Sequence, residues 1–433
     1  MKAVLFAAGE GLRLRPLTDK IPKPLLNVLG KSILERLIEN LSKCGVNDFI
    51  IIINYKEEKI KTHIREKFSD KEISFVHQEE IKGTANALFL AKELIDDDFF
   101  IASNGDCLFS FPLVKKTVDA VKNKSISIGG KLTRNTENYG IVITTEKGSI
   151  EKIIEKPLKE DLSEGYANIG IYSLSQDIFS IINEMEKNKK TSPRGEYEIT
   201  YAINQLIETN KYPSILVKAE ETDYWFDIGH PWDMLEATKE IMEDYSDSRE
   251  GKIQENVHIE NKVVIQKNSL IKSGTYIEGP VFIDEGAIVG PNCYIRKYTY
   301  IGKEARIGNG CEVKNSIIGE NVHAAHLSYI GDTIISPNCN LGAGTITANL
   351  RLDKKTIPVV VKGKKEDSNR RKLGAIIGED VETGIGALLM PGIKIGSNSW
   401  IGAGAVVNED VPSETIYYFT QTYTLKRKRK NAD

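Results

Sequence analysis

Two glycines and two cations near the start of the chain have the types and spacing to do chemistry. Gly9 and Gly11 follow the apolar run Lys2 to Ala8, Arg13 stands two residues on, and Pro22-Lys23-Pro24 comes next. A glycine-rich turn after a strand, here Ala7-Ala8-Gly9-Glu10-Gly11, lets backbone N–H groups approach phosphate oxygens. It is not the dinucleotide fingerprint, because the third glycine position holds Leu14. It is not a Walker A loop: Leu29-Gly30-Lys31-Ser32 looks like the tail of one, but the first glycine position is Leu25. Lys31 therefore reads as a surface residue. Asp106 falls just after the strand-like run Phe99 to Ser103. Alone, an aspartate there more often caps a turn than holds a metal. No Ser-His or Cys-His arrangement accompanies these residues. Far along the chain stands His326, and a histidine is the side chain that suits a proton acceptor at neutral pH. By itself it reads as a packing histidine, as do His63, His77 and His323.

The elements that must hold these residues come in two kinds. The first half alternates strand-like and helix-like segments: Lys2 to Ala8, Ser32 to Cys44, Asp48 to Asn54, Lys56 to Phe68, Ile73 to His77, Thr84 to Leu94 and Phe99 to Ser103. That order predicts an α/β fold with a mostly parallel, doubly wound, Rossmann-like sheet. Ligands on such sheets bind beyond the strands' carboxyl ends, where Gly9 and Asp106 fall.

The second half has a period of six. Every sixth residue from Ile253 to Val313 is Ile or Val, and the pattern resumes from Ile377 through Leu389, Ile395, Ile401 and Val407. Neither a helix nor a plain strand repeats in this way. Hexapeptide coils stacked on a shared aliphatic column do, which predicts a left-handed parallel β-helix. Gly290, Gly302 and Gly308 are expected to make tight turns, and the register slips near Ser316. The expected domains are 1–245, 253–413 and a basic tail, 414–433.

The formal net charge of −3 gives no whole-chain argument for nucleic acid. No apolar run reaches the roughly 18 residues of a membrane span. The five cysteines are scattered, with no CxxC pair, which argues for a reducing, cytoplasmic setting without a disulfide framework or zinc site.

The first 240 residues resemble the sugar-1-phosphate nucleotidylyltransferase family. The resemblance implies that Ala7, Ala8, Gly9, Gly11, Gln78, Gly83, Thr84 and Gly105 surround the nucleotide, with Gln78 reading the base. It implies that Arg13 and Lys23 hold the triphosphate and that Asp106 and Asp227 hold Mg²⁺. Tyr139-Gly140, Glu155-Lys156-Pro157 and Asn168-Ile169-Gly170 match sugar-pocket segments, so Gly140, Glu155, Lys156 and Asn168 become substrate residues, with Lys156 on the sugar phosphate. The resemblance also implies that the nucleotide is UTP or dTTP. Trp225 reads as core rather than as a stacking platform.

The coils resemble the acetyltransferase half of the bifunctional family that makes UDP-N-acetylglucosamine, in its archaeal two-domain form. The resemblance implies that Arg296 and Lys314 hold the sugar phosphate. It makes His326 the general base, Tyr329 and Asn340 sugar contacts, Asn349 a catalytic residue near the amine, and Ala343 and Ala403 acetyl-CoA contacts. Ile385 stands where bacterial relatives have a serine near the cofactor. Residues 351–373 form an insert of charge +6, which reads as a coenzyme A contact or as a solvated or subunit-bridging loop. The expected protein is a cytoplasmic homotrimer, or a multiple of one, that acetylates glucosamine or galactosamine 1-phosphate and then uridylylates the product, with no nucleic-acid or membrane partner. Two alternatives stand beside it: a monofunctional glucose-1-phosphate nucleotidylyltransferase with a structural β-helix, and a non-catalytic regulatory subunit.

Overall fold

The computed structural model describes residues 1–158, 160–189, 191, 195–422 and 424–426. Of the basic run 426–430 only Lys426 is among them. The chain divides into two compact units, Met1–Ile241 and a second beginning at Met242.

In the first unit, strands β1 (Lys2–Ala7), β2 (Asp48–Ile53), β3 (Glu72–His77) and β4 (Phe99–Asn104) pair in parallel in the order β4-β1-β2-β3. Phe49 to Ile53 are all buried, as a strand covered on both faces requires. Helix α1 (Ile33–Lys43) starts at Ser32, whose hydroxyl accepts from the Glu35 N–H while the Glu35 carboxylate accepts from the Ser32 N–H. His63 sits against this cap, 3.3 Å from the Ser32 hydroxyl. Helix α2 spans Glu57–Lys67.

The helix expected over Thr84 to Leu94 is shorter. α3 covers Thr84–Phe89, and the chain then tightens into a single 3₁₀ turn, Lys92–Leu94. There the Ala91 and Leu94 N–H groups bond three residues back, to Leu88 and Ala91.

Strands β5 (Cys107–Phe109), β6 (Ile126–Thr133), β7 (Gly140–Thr144), β8 (Ile150–Glu155), β9 (Gly165–Ser175), β10 (Ser214–Lys218) and β11 (Trp225–Asp227) follow, with helices α4 (Phe111–Lys122), α5 (Ile178–Lys187), α6 (Ile199–Glu208) and α7 (Asp233–Glu243). β9 runs antiparallel to β4 and carries β6 and β7, so the sheet becomes mixed on that side. β11 and β5 form a separate antiparallel pair.

The second unit consists of three sheets in which, among the described residues, the coils pair in parallel, the stack expected of a left-handed β-helix. Successive coils align Ile265, Ile283 and Ile301 across one sheet. The single aliphatic column expected from the sequence is three columns, one on each sheet; from Ile265 to Val313 all of these positions are buried, whereas Ile253, on the first coil, remains 36% exposed. After Val313 the coil shortens by one residue, pairing Ile301 with Ile318. Ser316 and Thr333 sit at shortened corners. The Ser316 hydroxyl accepts from the Thr333 N–H at 3.1 Å, and the Thr333 hydroxyl accepts from the Ala375 N–H at 3.2 Å. Buried hydroxyls thus bond the backbone of the next coil where the hexad is broken.

The glycine expectation needs correction. Gly290 has a positive φ of 102°, but Gly302 and Gly308 do not. A Cβ at Gly302 would stand 2.8 Å from the Gly319 carbonyl carbon, and one at Gly308 2.0 Å from the Ala325 oxygen. These two glycines let neighbouring coils approach closely; many of the left-handed turns fall instead to asparagines such as Asn268, Asn292 and Asn338.

The insert is not a bare loop. Pro358–Val361 and Lys364–Asp367 pair as an antiparallel hairpin. Ile357, Val359 and Val361 are buried, with Ile357 packed over Gly392.

Candidate active sites

The first site forms where β1 and β4 end. Gly11 takes the left-handed conformation (φ 65°), and its carbonyl accepts from the Thr18 hydroxyl at 2.9 Å. Gly9 has open space where a side chain would be, leaving room for a ligand to approach the backbone. The Gly105 N–H donates to the Phe6 carbonyl at 2.8 Å, which ties the glycine loop to the Asp106 turn. Opposite, β11 places Asp227 across from Cys107. Two carboxylates 121 positions apart therefore converge on one ammonium. Lys23 Nζ lies 2.8 Å from Asp106 Oδ2 and 3.0 Å from Asp227 Oδ1.

Lys23 is 7% exposed. Burial works against its charge, but the two carboxylates more than offset burial and hold its pKa far above the ordinary lysine value. The Asp106 and Asp227 side chains stay about one-third exposed, so they can also face a ligand. Two hard carboxylates fit Mg²⁺, which keeps waters and substrate phosphates as its remaining ligands. Among the described residues no group of three or more His, Cys, Asp or Glu side chains could hold a metal, so this pair would be supplemented by substrate. Arg13 is exposed, its guanidinium over Gly229; a Cβ there would lie 3.5 Å from Nη1.

Gln78 is buried; its side-chain NH₂ donates to the Gly83 carbonyl at 3.4 Å and to Asn86 Oδ1 at 3.3 Å. Gly83 has φ 118° and lies against the Tyr197 backbone. The Thr84 hydroxyl accepts from the Ile199 N–H at 3.0 Å, so it acts here as a brace for α6.

The expected sugar residues lie along β7 to β9. A Cβ on Gly140 would meet Glu155 Oε2 at 2.7 Å, which places the Glu155 carboxylate over Gly140. Lys156 is exposed, in the left-handed region (φ 46°), and its N–H donates to the Tyr139 carbonyl at 3.1 Å. Asn168 donates to the Tyr172 hydroxyl at 2.9 Å and accepts from the Gly170 N–H at 3.1 Å. Trp225 is half-buried, edge-on to Tyr139 with centroids 5.3 Å apart, a packing role.

In the second unit the expected residues fall on two edges of the coil. One gathers Arg296, Lys314, Tyr329 and Asn349. The Asn349 amide donates to the Tyr329 hydroxyl at 3.1 Å and to Asp332 Oδ2 at 2.6 Å; Asp332 Oδ1 accepts from Asn315 at 2.7 Å. Arg296 bonds Glu312 at 3.0 Å and covers the Tyr294 ring. The Lys314 pKa is pushed below the usual lysine value, first by burial, then by Lys372 and Arg296; Asp332 pulls the other way. Three cations share this corner with Glu312 and Asp332, and burial and the neighbouring cations outweigh Asp332 at Lys314.

Sequence reasoning missed Lys372 and Asp332. Lys372 is delivered by the insert, which pairs Lys372 back against Leu350 and sends the Leu373 N–H to the Asn349 carbonyl at 3.0 Å. The net charge of the insert was visible, but not which lysine would return to the site.

The other edge carries His326, Ala343, Ile385 and Ala403. The His326 carbonyl accepts from the Gly344 N–H at 3.2 Å, Ala343 from Gly386 at 2.8 Å and Ile385 from Gly404 at 2.8 Å. Ile385 thus stands between the two expected coenzyme A positions, 66% exposed. The His326 ring is exposed and has no side-chain contact with Tyr329 or Asn349 among the described residues. Asn340 stacks on His323 rather than on His326. The two edges are separated by the width of the sheet that contains Tyr329–Gly331.

A Rossmann-like unit with two carboxylates converging on a buried lysine, followed by a β-helix with a cationic corner, defines a nucleotidyltransferase joined to a hexapeptide-repeat transferase. Comparison with known proteins agrees. Residues 2–244 match the nucleotidyl transferase family model, and 277–390 match the GMPPB C-terminal domain model. A protein of Methanococcus aeolicus named bifunctional protein GlmU is 43% identical over 99% of this chain and 100% of its own length. A bifunctional sugar-1-phosphate nucleotidylyltransferase/acetyltransferase of Sulfurisphaera tokodaii is 42% identical over 95% of this chain and 98% of its own. A UDP-glucose pyrophosphorylase structure with bound UDP-glucose shares the fold of the first unit, with a TM-score of 0.50 and 22% identity over 56% of this chain and 99% of its own. This chain belongs to the family of bifunctional sugar-1-phosphate nucleotidylyltransferase/acetyltransferases.

Proposed function

We propose that this protein makes UDP-N-acetyl amino sugars in two steps, one on each unit. The second unit acetylates glucosamine or galactosamine 1-phosphate with acetyl-CoA. The first joins the N-acetyl sugar 1-phosphate to UTP and releases pyrophosphate. The observation that carries the reading is the presence of two separate charged clusters, Lys23 between Asp106 and Asp227 and the Arg296–Lys314–Lys372 corner, in one chain whose full-length relatives are named bifunctional.

On the first unit a sugar-phosphate oxygen attacks the α-phosphorus of UTP, and the bond to the β-phosphate breaks. Two anions must meet, so catalysis is mostly placement of positive charge. Arg13, Lys23 and the backbone N–H groups of residues 7–11 hold the triphosphate, and Lys156 holds the sugar phosphate. Asp106 and Asp227 hold Mg²⁺, which when bound neutralises charge developing on the phosphate oxygens. Gln78 meets the base.

On the second unit the sugar amine attacks the thioester carbonyl, His326 takes the proton the amine loses, and the coenzyme A thiolate leaves. Arg296, Lys314 and Lys372 hold the phosphate, Tyr329 and Asn340 the sugar, and Ala343 and Ala403 the coenzyme A. Because His326 and Asn349 lie on different edges of one chain, a complete site takes one edge from each of two subunits. That favours a trimer, with sites between neighbours, acting in the cytoplasm. The test is a panel of glucosamine, galactosamine and glucose 1-phosphates with acetyl-CoA, followed by UTP and dTTP. Acetylation of an amino sugar followed by pyrophosphate release supports the reading; pyrophosphate release from glucose 1-phosphate with no acetyl transfer contradicts it.

A further inference from the structure

Gln78 is held by a chain of hydrogen bonds that ends on a charge. Its N–H donates to the Ile53 carbonyl at 2.9 Å and its carbonyl accepts from Asn54 at 2.7 Å, which fixes the backbone. Its side-chain NH₂ faces Asn86 Oδ1. The NH₂ of Asn86, on α3, donates in turn to Glu186 Oε1, on α5, at 3.0 Å.

An amide can face a neighbour with either end, but a carboxylate only accepts. Glu186 therefore compels Asn86 to present its NH₂ to it, which leaves the Asn86 oxygen for Gln78. Gln78 must then turn its own NH₂ inward. The Gly83 carbonyl, also only an acceptor, agrees with that choice. Flipping Gln78 would set its oxygen against two acceptors, so its Oε1 is the end left to meet a ligand.

We infer that Glu186 and Asn86 are positioning residues that fix the polarity of Gln78, so that this site selects a pyrimidine carrying a ring N–H, uracil or thymine, and rejects cytosine. Cytosine offers an acceptor at that ring nitrogen, and two facing acceptors in a site closed to water cost far more than a missing contact. The inference rests on the reading of Gln78 as the residue that meets the base.

The test compares kcat/KM for UTP and CTP, with the accepted sugar 1-phosphate, in the full-length protein. Glu186→Lys replaces the acceptor with a donor, which reverses Asn86 and sets its NH₂ against that of Gln78, so only the longer bond to the Gly83 carbonyl, 3.4 Å, still opposes a turn of Gln78. The UTP-to-CTP ratio should fall by about tenfold or more, since each tenfold is about 1.4 kcal/mol. Adding Asn86→Asp to Glu186→Lys supplies an acceptor for Gln78 and an ion pair for the lysine; it should restore the ratio. An unchanged ratio in Glu186→Lys, with circular dichroism and melting like wild type, would overturn the relay. Where that variant does not fold, Glu186→Gln, able to face Asn86 with either end, should lower the ratio by roughly two- to fivefold, and no change overturns the relay. A wild-type protein that turns over CTP as well as UTP overturns it too. A wild-type protein that turns over neither triphosphate overturns the reading of the first unit instead.

Discussion

The side-chain amide of Asn349 donates to the carboxylate of Asp332 across 2.6 Å, and this bond orients the residue expected beside the reacting amine. Asp332 is buried and also accepts from Asn315. Asp332→Asn removes the charge and sets an amide against two donors. Acetyl transfer should fall by about tenfold to a hundredfold, the worth of a hydrogen bond to a charged group. Pyrophosphate release should not change, and assay of both activities on one preparation checks this.

Asp106 and Asp227 provide the oxygen ligands of the first site. Asp227→Asn leaves Lys23 paired with Asp106 at 2.8 Å, so the fold should survive. The Mg²⁺ needed for half-maximal pyrophosphate release should rise by at least about tenfold. A chelator should abolish that activity and leave acetyl transfer intact.

Lys314 tests the cationic corner by pH. Its pKa is lowered by burial and by Lys372 and Arg296, against the pull of Asp332. The charged form therefore costs stability in the fold. That cost is full below the lowered pKa and vanishes as pH rises through it towards the ordinary lysine value of 10.5. Lys314→Met should stabilise the fold slightly at pH 7, by about 1 kcal/mol or less, read as a small rise in melting temperature, and the advantage should disappear by pH 10.5. Its KM for the amino-sugar phosphate should rise. Reduced stability at pH 7 would contradict the account.

Gly83 is held at φ 118°, and a Cβ there would lie 2.5 Å from the Tyr197 oxygen. Gly83→Ala should destabilise the first unit by roughly 2–3 kcal/mol and weaken UTP binding, because the Gly83 carbonyl also holds Gln78. Thermal melting and nucleotide titration measure the two effects separately.

The coils were legible because Ile or Val recurs every six residues, which sets three aliphatic columns, one on each sheet, and these line the core. The phosphate loop was legible because Gly9, Gly11, Arg13 and Lys23 are close in sequence. The convergence of Asp227 on Asp106 was not derivable from spacing; it depends on pairing two three-residue strands, too short to leave a period. The insert hairpin left only a faint signal, Ile357, Val359 and Val361 ahead of Lys362-Gly363, because Pro358 and Val360 break a clean polar alternation. Lys372 could not be placed without the hairpin that returns it to Asn349. The polarity of Gln78 depends on Glu186, 108 positions away, through Asn86. No local pattern encodes such a contact.

His326→Ala asks whether two independent transferases share one chain. Acetyl transfer from acetyl-CoA to the amino-sugar 1-phosphate and pyrophosphate release from UTP with the N-acetyl sugar 1-phosphate are measured on the same sample. The first should fall by about a hundredfold or more while the second stays at the wild-type rate. Wild-type acetyl transfer in the variant, or loss of both activities in a folded protein, would contradict that arrangement.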